Sequence, residues 1–264
     1  MVQYLDVHLV LDPFERQFNL WRNIARFYSR TDFVMMLDVD FAICTDFRSR
    51  ILQSQVVRAR MQQGRMALVV PAFEFTRQTD GLNSSTFPKD KKALLSLVKE
   101  EKIAMFHRAW KPGHESTDYE RYYGARPGQV YKVSQYQHAY EPYVIFKKDG
   151  APWCDERFVG YGGNKAACLF ELYLSGVSFY VLSDDFVIHQ SHTYAERVRK
   201  LERKYNGKVY SEFRMEMCLK YMSQYIQDGS IETERGHNAQ EACLKIPGVP
   251  KLVSELLEEF TSGK

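Results

Sequence analysis

Short apolar runs alternate with amphipathic stretches along most of this chain, and the two patterns predict different elements. Phe33 to Leu37 and Met66 to Phe73 are unbroken apolar runs that predict buried strands of a parallel sheet, the second stopped by Pro71. Tyr143 to Phe146, Val177 to Leu182 and Phe186 to His189 predict shorter strands, and residues 2–10 alternate as a strand does. A helical period marks Phe18 to Tyr28, with Leu20, Ile24, Phe27 and Tyr28 on one side, and Arg50 to Gln63, closed by Gly64. Further helices are predicted over Pro88 to Lys102, Asn164 to Ser175 and residues 196–228, with a short terminal helix at Leu252 to Phe260. Polar Thr76 to Phe87 reads as a surface loop. Trp110 to Val130 reads as a long loop of the kind that usually carries function. Strands alternating with helices predict an α/β fold. Neither an internal repeat nor a linker interrupts the 264 residues, so a single domain over 1–264 is expected.

Composition narrows the field. Hydrophobic residues are 45% of the chain, enough for a full core and against disorder. A net charge of +3 leaves no nucleic-acid footprint, so no nucleic-acid partner is expected. The local basic cluster from Arg197 to Lys204 reads as a solvated helix face. Seventeen Tyr and 17 Phe supply rings that suit sugar faces, although most belong to a core. The five cysteines lack C-x-x-C spacing, which argues against zinc. A Cys154–Cys168 bridge is possible, and cysteine usage alone leaves the redox compartment open. No apolar run reaches the ~20 residues of a membrane span, and the first residues carry no signal-peptide pattern.

Four constellations can carry chemistry. Asp38 and Asp40 follow directly on the Phe33–Leu37 run, at the carboxyl end of a predicted strand, where α/β sheets bind ligands. Two hard oxygen donors there can hold Mg²⁺ or Mn²⁺ against a diphosphate; the competing reading is a solvated turn. His189 leaves an apolar strand far downstream and is a natural third ligand, with His192 as the alternative; imidazole beside carboxylate suits Mn²⁺. Trp153 to Lys165 concentrates acids, cations and glycines. Its glycines let a backbone approach a ligand, Asp155 can act as a general base, and Arg157 or Lys165 can face a negative group. The competing reading there is a helix start capped by Asn164, with Asp155–Arg157 as a surface pair. Trp110, His114 and Thr117 form a candidate sugar-contact patch on the long loop.

Taken together these pieces resemble glycosyltransferase family 49. The matching segments are Asn19 to Asn23, Leu37 to Phe41, Ala67 to Glu74, Phe87 to Lys89, Trp110 with Gly113-His114 and Thr117, Glu141 to Tyr143, Asp155 with Arg157 to Gly160, Gly162 with Asn164-Lys165, and Ile188-His189 with His192. They cover about residues 15–195 in the family's order, followed by a helical extension over about 196–264. The resemblance implies a Rossmann-like GT-A fold and a metal-dependent inverting transferase. Such an enzyme moves a sugar, glucuronate among the candidates, from a UDP-sugar to a glycan acceptor. It implies Asp38, Asp40 and His189 around Mn²⁺ or Mg²⁺, Asp155 as base with Glu141 second, and Arg22 and Asn23 toward the nucleotide. Arg157 or Lys165 would meet a uronate carboxylate, beside Asn164. It also implies the secretory pathway, and the Golgi lumen in particular. Relative to the family pattern, the chain is expected to start after the first nucleotide-binding strand and the usual anchor, either as a fragment missing its start or as a shortened member, and Lys111-Pro112 depart from the usual loop. The rival readings are an inactive member that binds carbohydrate or acts as a scaffold, and a metal-dependent phosphohydrolase, for which the carboxylates are too few.

Overall fold

The computed structural model describes residues 6–193 and 196–262. In chain order the helices and strands are α1 (Phe18–Tyr28), β1 (Phe33–Met36), β2 (Phe41–Ile43), α2 (Phe47–Gln53), α3 (Gln55–Gln62), β3 (Met66–Val70), β4 (Ala72–Phe75), α4 (Lys91–Lys99), β5 (Ile103–Met105), α5 (Tyr119–Gly124), β6 (Val130–Lys132), β7 (Tyr143–Lys147), α6 (Asn164–Leu174), β8 (Ser178–Leu182), β9 (Val187–His189), α7 (Glu196–Gln227), α8 (Glu234–Cys243) and α9 (Val249–Ser262). The strands form two mixed sheets, ordered β1-β7-β3-β8-β6 and β2-β9-β4-β5. In the first sheet β3 and β8 are parallel, while β7 runs antiparallel to both β1 and β3. In the second, β4 and β9 are parallel and β2 is antiparallel to β9.

Three times the chain steps from the first sheet to the second across a short bend: β1 to β2 through Asp38–Asp40, β3 to β4 through Pro71, and β8 to β9 through residues 183–186. Proline cannot donate to a ladder, so Pro71 is suited to ending one strand before the next sheet begins. The bends lie side by side at the carboxyl ends of β1, β3 and β8, and both aspartates sit on that seam.

All five residues of β3 are buried because both faces of the sheet are covered. Met66, Leu68 and Val70 face a cluster with Met61, Val57 and Ile51 from α2 and α3. Ala67 and Val69 face the opposite cluster, built with Leu169, Tyr173, Phe213 and Cys218 of α6 and α7. The period-2 alternation of the strand assigns each residue to its layer. On α7, Phe213, Met217, Tyr221 and Tyr225 recur at four-residue spacing and stay buried, so this long helix closes the second layer.

Several expectations need correction. Residues 6–10 have no regular structure, and residues 2–5 lie outside the described residues. Among the described residues β1 is an edge strand, half-buried and antiparallel to β7, rather than the buried parallel strand its apolar run predicts. The helix predicted from Arg50 is two helices broken at Ser54, whose side chain accepts from Val57 N and starts α3. Helix α1 stands where predicted but buries Asn19 and Asn23, while Phe27 and Tyr28 are exposed. The Trp110–Val130 loop contains α5.

Glycines 160 and 162 have φ of +80° and +98°. A Cβ at Gly160 would lie 2.4 Å from Glu202 Cδ, and one at Gly162 would lie 2.9 Å from Arg203 Cγ. These glycines make room for the close approach of α7. Two disulfides are present: Cys154–Cys168, and Cys218–Cys243, which the sequence did not single out; Cys44 is buried and free. Two bridges point to an oxidising compartment. Cys218→Ser/Cys243→Ser should lower stability by about 3 kcal/mol, the usual contribution of a loop-closing bridge, read as a shift of the urea midpoint. No helix among the described residues is long and apolar enough to cross a membrane.

Candidate functional site

The β2–β9 ladder pairs Phe41 with His189, and Gln190 N donates to Asp40 O at 2.7 Å. This register sets Asp40 beside two imidazoles. His189 Nε2 lies 3.4 Å and His192 Nε2 2.9 Å from Asp40 Oδ2. One ligand atom from each of the three residues falls within 4.8 Å of the others. Burial would raise the Asp40 carboxyl, but the two histidines outweigh it and hold it below its ordinary value. The other oxygen, Oδ1, is buried and has no hydrogen-bond partner. A carboxylate with one oxygen on two imidazole nitrogens and its other oxygen orphaned is the donor set of a borderline divalent cation such as Mn²⁺, so these residues fit one.

Asp38 faces a different set. Its Oδ2 accepts from Lys165 Nζ at 3.0 Å and from Tyr143 Oη at 2.9 Å, and Arg22 lies 3.6 Å from Oδ1. Burial pushes this carboxyl up, but Lys165 and Arg22, with hydrogen bonds from Lys165 and Tyr143, hold it well below the carboxylate range. Lys165 is buried, with Nζ 3.6 Å above the centroid of Tyr143. The structure thus groups Asp40 with both histidines and gives Asp38 to a cationic network. Arg22 also donates to Asn19 Oδ1 and Asn164 Oδ1, at 2.8 and 2.6 Å. Asn164 is the first residue of α6, and Gly163 occupies the cap position.

The remaining predicted residues divide between the cleft and its supports. Glu141 lies near Asp38, Lys165 and Arg22, and its carboxyl is raised by burial. Asp155 is clamped by Arg157, which donates from its backbone N at 2.8 Å and from its guanidinium at 2.7 Å and also reaches Glu216 at 2.7 Å. Asn23 is buried and joins Cys154 O and Glu156 Oε1, both at 2.8 Å, so it braces the Cys154–Glu156 loop. Of the candidate sugar-contact patch, Thr117 is buried, 2.7 Å from Tyr140 Oη, and Trp110 is exposed. His114 is buried beneath Phe106, at a centroid distance of 5.2 Å.

Sequence reasoning missed the wall formed by Glu74, Phe106 and His107. Glu74 pairs in register with His189 across β4 and β9, and its Oε1 accepts from His107 N at 2.9 Å. His107 has φ of +54°, and its ring stacks on Phe106 at 3.9 Å. The sequence signals were the place of Glu74 at the end of the Ala67–Glu74 segment and the proximity of Phe106 and His107 to an apolar run.

Burial lowers the pKa of His114 well below 6.5. The unfolded chain takes up a proton near pH 6.5 that the buried ring does not, so stability should fall as pH drops through and below 6.5. His114→Phe should flatten that slope. Melting temperatures of both proteins between pH 7.5 and 5 check it; parallel curves would refute the assignment to His114.

Residues 12–222 match the sequence pattern of the family described as glycosyl-transferase for dystroglycan, glycosyltransferase family 49. The chain is 32% identical over 210 residues to the xylosyl- and glucuronyltransferase LARGE2s of Gallus gallus, covering 77% of this chain and 27% of that protein. It is 37% identical over 179 residues to LARGE2 of Rattus norvegicus, covering 66% and 24%, and 30% identical over 210 residues to LARGE1 of Homo sapiens, covering 79% and 25%. The chain thus spans about a quarter of the length of the curated relatives it matches. With the family pattern extending from α1 through the Asp40–His189–His192 group into α7, this chain is a member of glycosyltransferase family 49.

Proposed function

We propose that the chain is a GT-A-type catalytic domain that transfers a sugar from a UDP-sugar to a glycan acceptor with inversion, in the secretory pathway. The observation that carries this reading is the Asp40 carboxylate, whose Oδ2 meets His189 and His192 while its buried Oδ1 has no partner. A divalent cation held by these three residues would neutralise the departing diphosphate as a Lewis acid. The chain's own residues do the rest. Lys165, Arg22 and Tyr143 fix the Asp38 carboxylate, so the loop between the aspartates keeps its shape. Phe41 packs against Tyr143 at 4.3 Å and Phe106 at 4.9 Å, and the three rings back the site with an apolar wall.

The base is the acceptor-activating group, and Glu141 suits it better than Asp155. A general base works best with a pKa near the operating pH. Burial moves Glu141 in that direction. Arg157 occupies the Asp155 carboxylate with three donors, which leaves it as a clamp for the loop after Cys154. Donor identity is proposed as glucuronate or xylose, because the relatives' names carry both.

The test is stabilisation by UDP with and without Mn²⁺, followed by UDP release against a panel of UDP-sugars and sugar acceptors. Mn²⁺-dependent stabilisation with turnover supports the enzyme. Metal-dependent UDP binding without turnover on any donor would leave the inactive, carbohydrate-binding reading. Absence of both would overturn the metal assignment.

A further inference from the structure

The first sheet has a second end, opposite the one that carries Asp38 and Asp40. A cavity of about 650 Å³ opens there. Arg60 of α3, Arg65 before β3, Lys132 at the end of β6, Tyr180 of β8, and Glu234 and His237 of the first turn of α8 line it. The ladders explain the convergence: Met66 pairs with Ser178 and Lys132 with Tyr180, which gathers the amino ends of β3 and β8 and the carboxyl end of β6. At ~3.3 Å per residue, the length of β3 sets this cavity roughly 16 Å from the seam with the aspartates.

Among the described residues, Arg60, Arg65 and Lys132 have neither an ion-pair nor a side-chain hydrogen-bond partner. Glu234 is the one acid of the lining. The cleft cations Arg22, Lys165 and Arg157 are, by contrast, all engaged by carboxylates. Three cations against one carboxylate leave the hollow with a net positive charge, and it lies at the amino end of α8. That arrangement is complementary to an anion. The volume falls within the ~300–1,000 Å³ of small-molecule sites and far exceeds a bare oxyanion. Tyr180 is half-buried and offers a ring face, and Gln63 and Ser178 offer hydrogen bonds, so the remainder of the ligand is polar with one apolar face. We propose that this cavity binds an anionic sugar, through a carboxylate, phosphate or sulfate held by Arg60, Arg65 and Lys132. The site is separate from the metal group and independent of the catalytic reading.

The experiment is calorimetric titration of the full chain in EDTA with glucuronate, glucose 6-phosphate, glucose 6-sulfate, glucose, inorganic phosphate and a glutamate oligopeptide. It is repeated on Arg60→Gln/Arg65→Gln/Lys132→Gln and on Arg48→Gln/Arg77→Gln/Lys92→Gln, which loses the same charge elsewhere. All six residues are exposed, and equal melting temperatures confirm that both variants fold. At least one anionic sugar should bind, glucose should not, and the cavity variant should weaken binding at least tenfold while the control binds as wild type. The three anionic sugars distinguish carboxylate, phosphate and sulfate as the source. Failure of every anionic sugar to bind, or equal loss in both variants, would overturn the site. Inorganic phosphate or the peptide binding as tightly as the sugars would overturn the sugar as its ligand.

Discussion

Asp40→Asn should abolish Mn²⁺ binding and lower turnover at least about a thousandfold, the several kcal/mol that a Lewis acid contributes to a departing phosphate. The amide keeps an oxygen acceptor for His192 but loses the charge that a divalent cation requires. The fold should survive, because Asp40 is only half-buried and its backbone bond from Gln190 is unaffected. Asp38→Asn provides the contrast. It leaves the Asp40–His189–His192 group in place but strips the buried Lys165 ammonium of its counter-charge. Removing one partner of a buried pair is costly, so this variant should lose stability more than it loses metal. Calorimetric Mn²⁺ titration and thermal unfolding of the two variants separate the roles. Equal metal loss in both would return Asp38 to the ligand set, and Mn²⁺-dependent turnover in Asp40→Asn would remove Asp40 from it.

Glu141→Gln should lower kcat by about 10²–10⁴, the range that a positioned general base contributes, while UDP affinity stays at the wild-type value. The amide is nearly isosteric, and Glu141 N still donates to Gly113 O at 2.8 Å. Asp155→Asn should act differently. It frees Arg157 from its strongest partner and loosens the loop that Asn23 and the Cys154–Cys168 bridge also hold, so thermal stability should drop with a smaller change in kcat. Stopped-assay UDP release at saturating donor, together with UDP titration, distinguishes them. Normal turnover in Glu141→Gln alongside a collapse in Asp155→Asn would move the base to Asp155.

Much of the local structure was legible. An apolar run leading into acids was enough to place Asp40 in the bend after a strand, and another ending in Val-Ile-His placed His189 at a strand end, because short apolar runs carry a strong signal. Which aspartate meets the histidines was not legible. That depends on Phe41 pairing with His189 across β2 and β9, a contact between residues 148 positions apart in sequence. Helix α1 shows the same limit from the other side. Its period was clear, yet Asn19 and Asn23 point inward because they cap carbonyls of Asp155, Asn164 and Cys154, and no hydrophobic pattern records that demand.

By itself the sequence determined an α/β chain with apolar runs leading into Asp38 and Asp40 and into His189, and its motifs carried the family. These follow from local patterning and residue chemistry, which depend on near neighbours. Only the tertiary structure decided that three strands bend from one sheet into another at a common seam. It also decided that Asp38 answers to Lys165 rather than to the histidines, and that the glycines at 160 and 162 make room for α7. Each of those outcomes rests on pairing register or on steric approach between segments far apart in sequence, which no window along the chain contains.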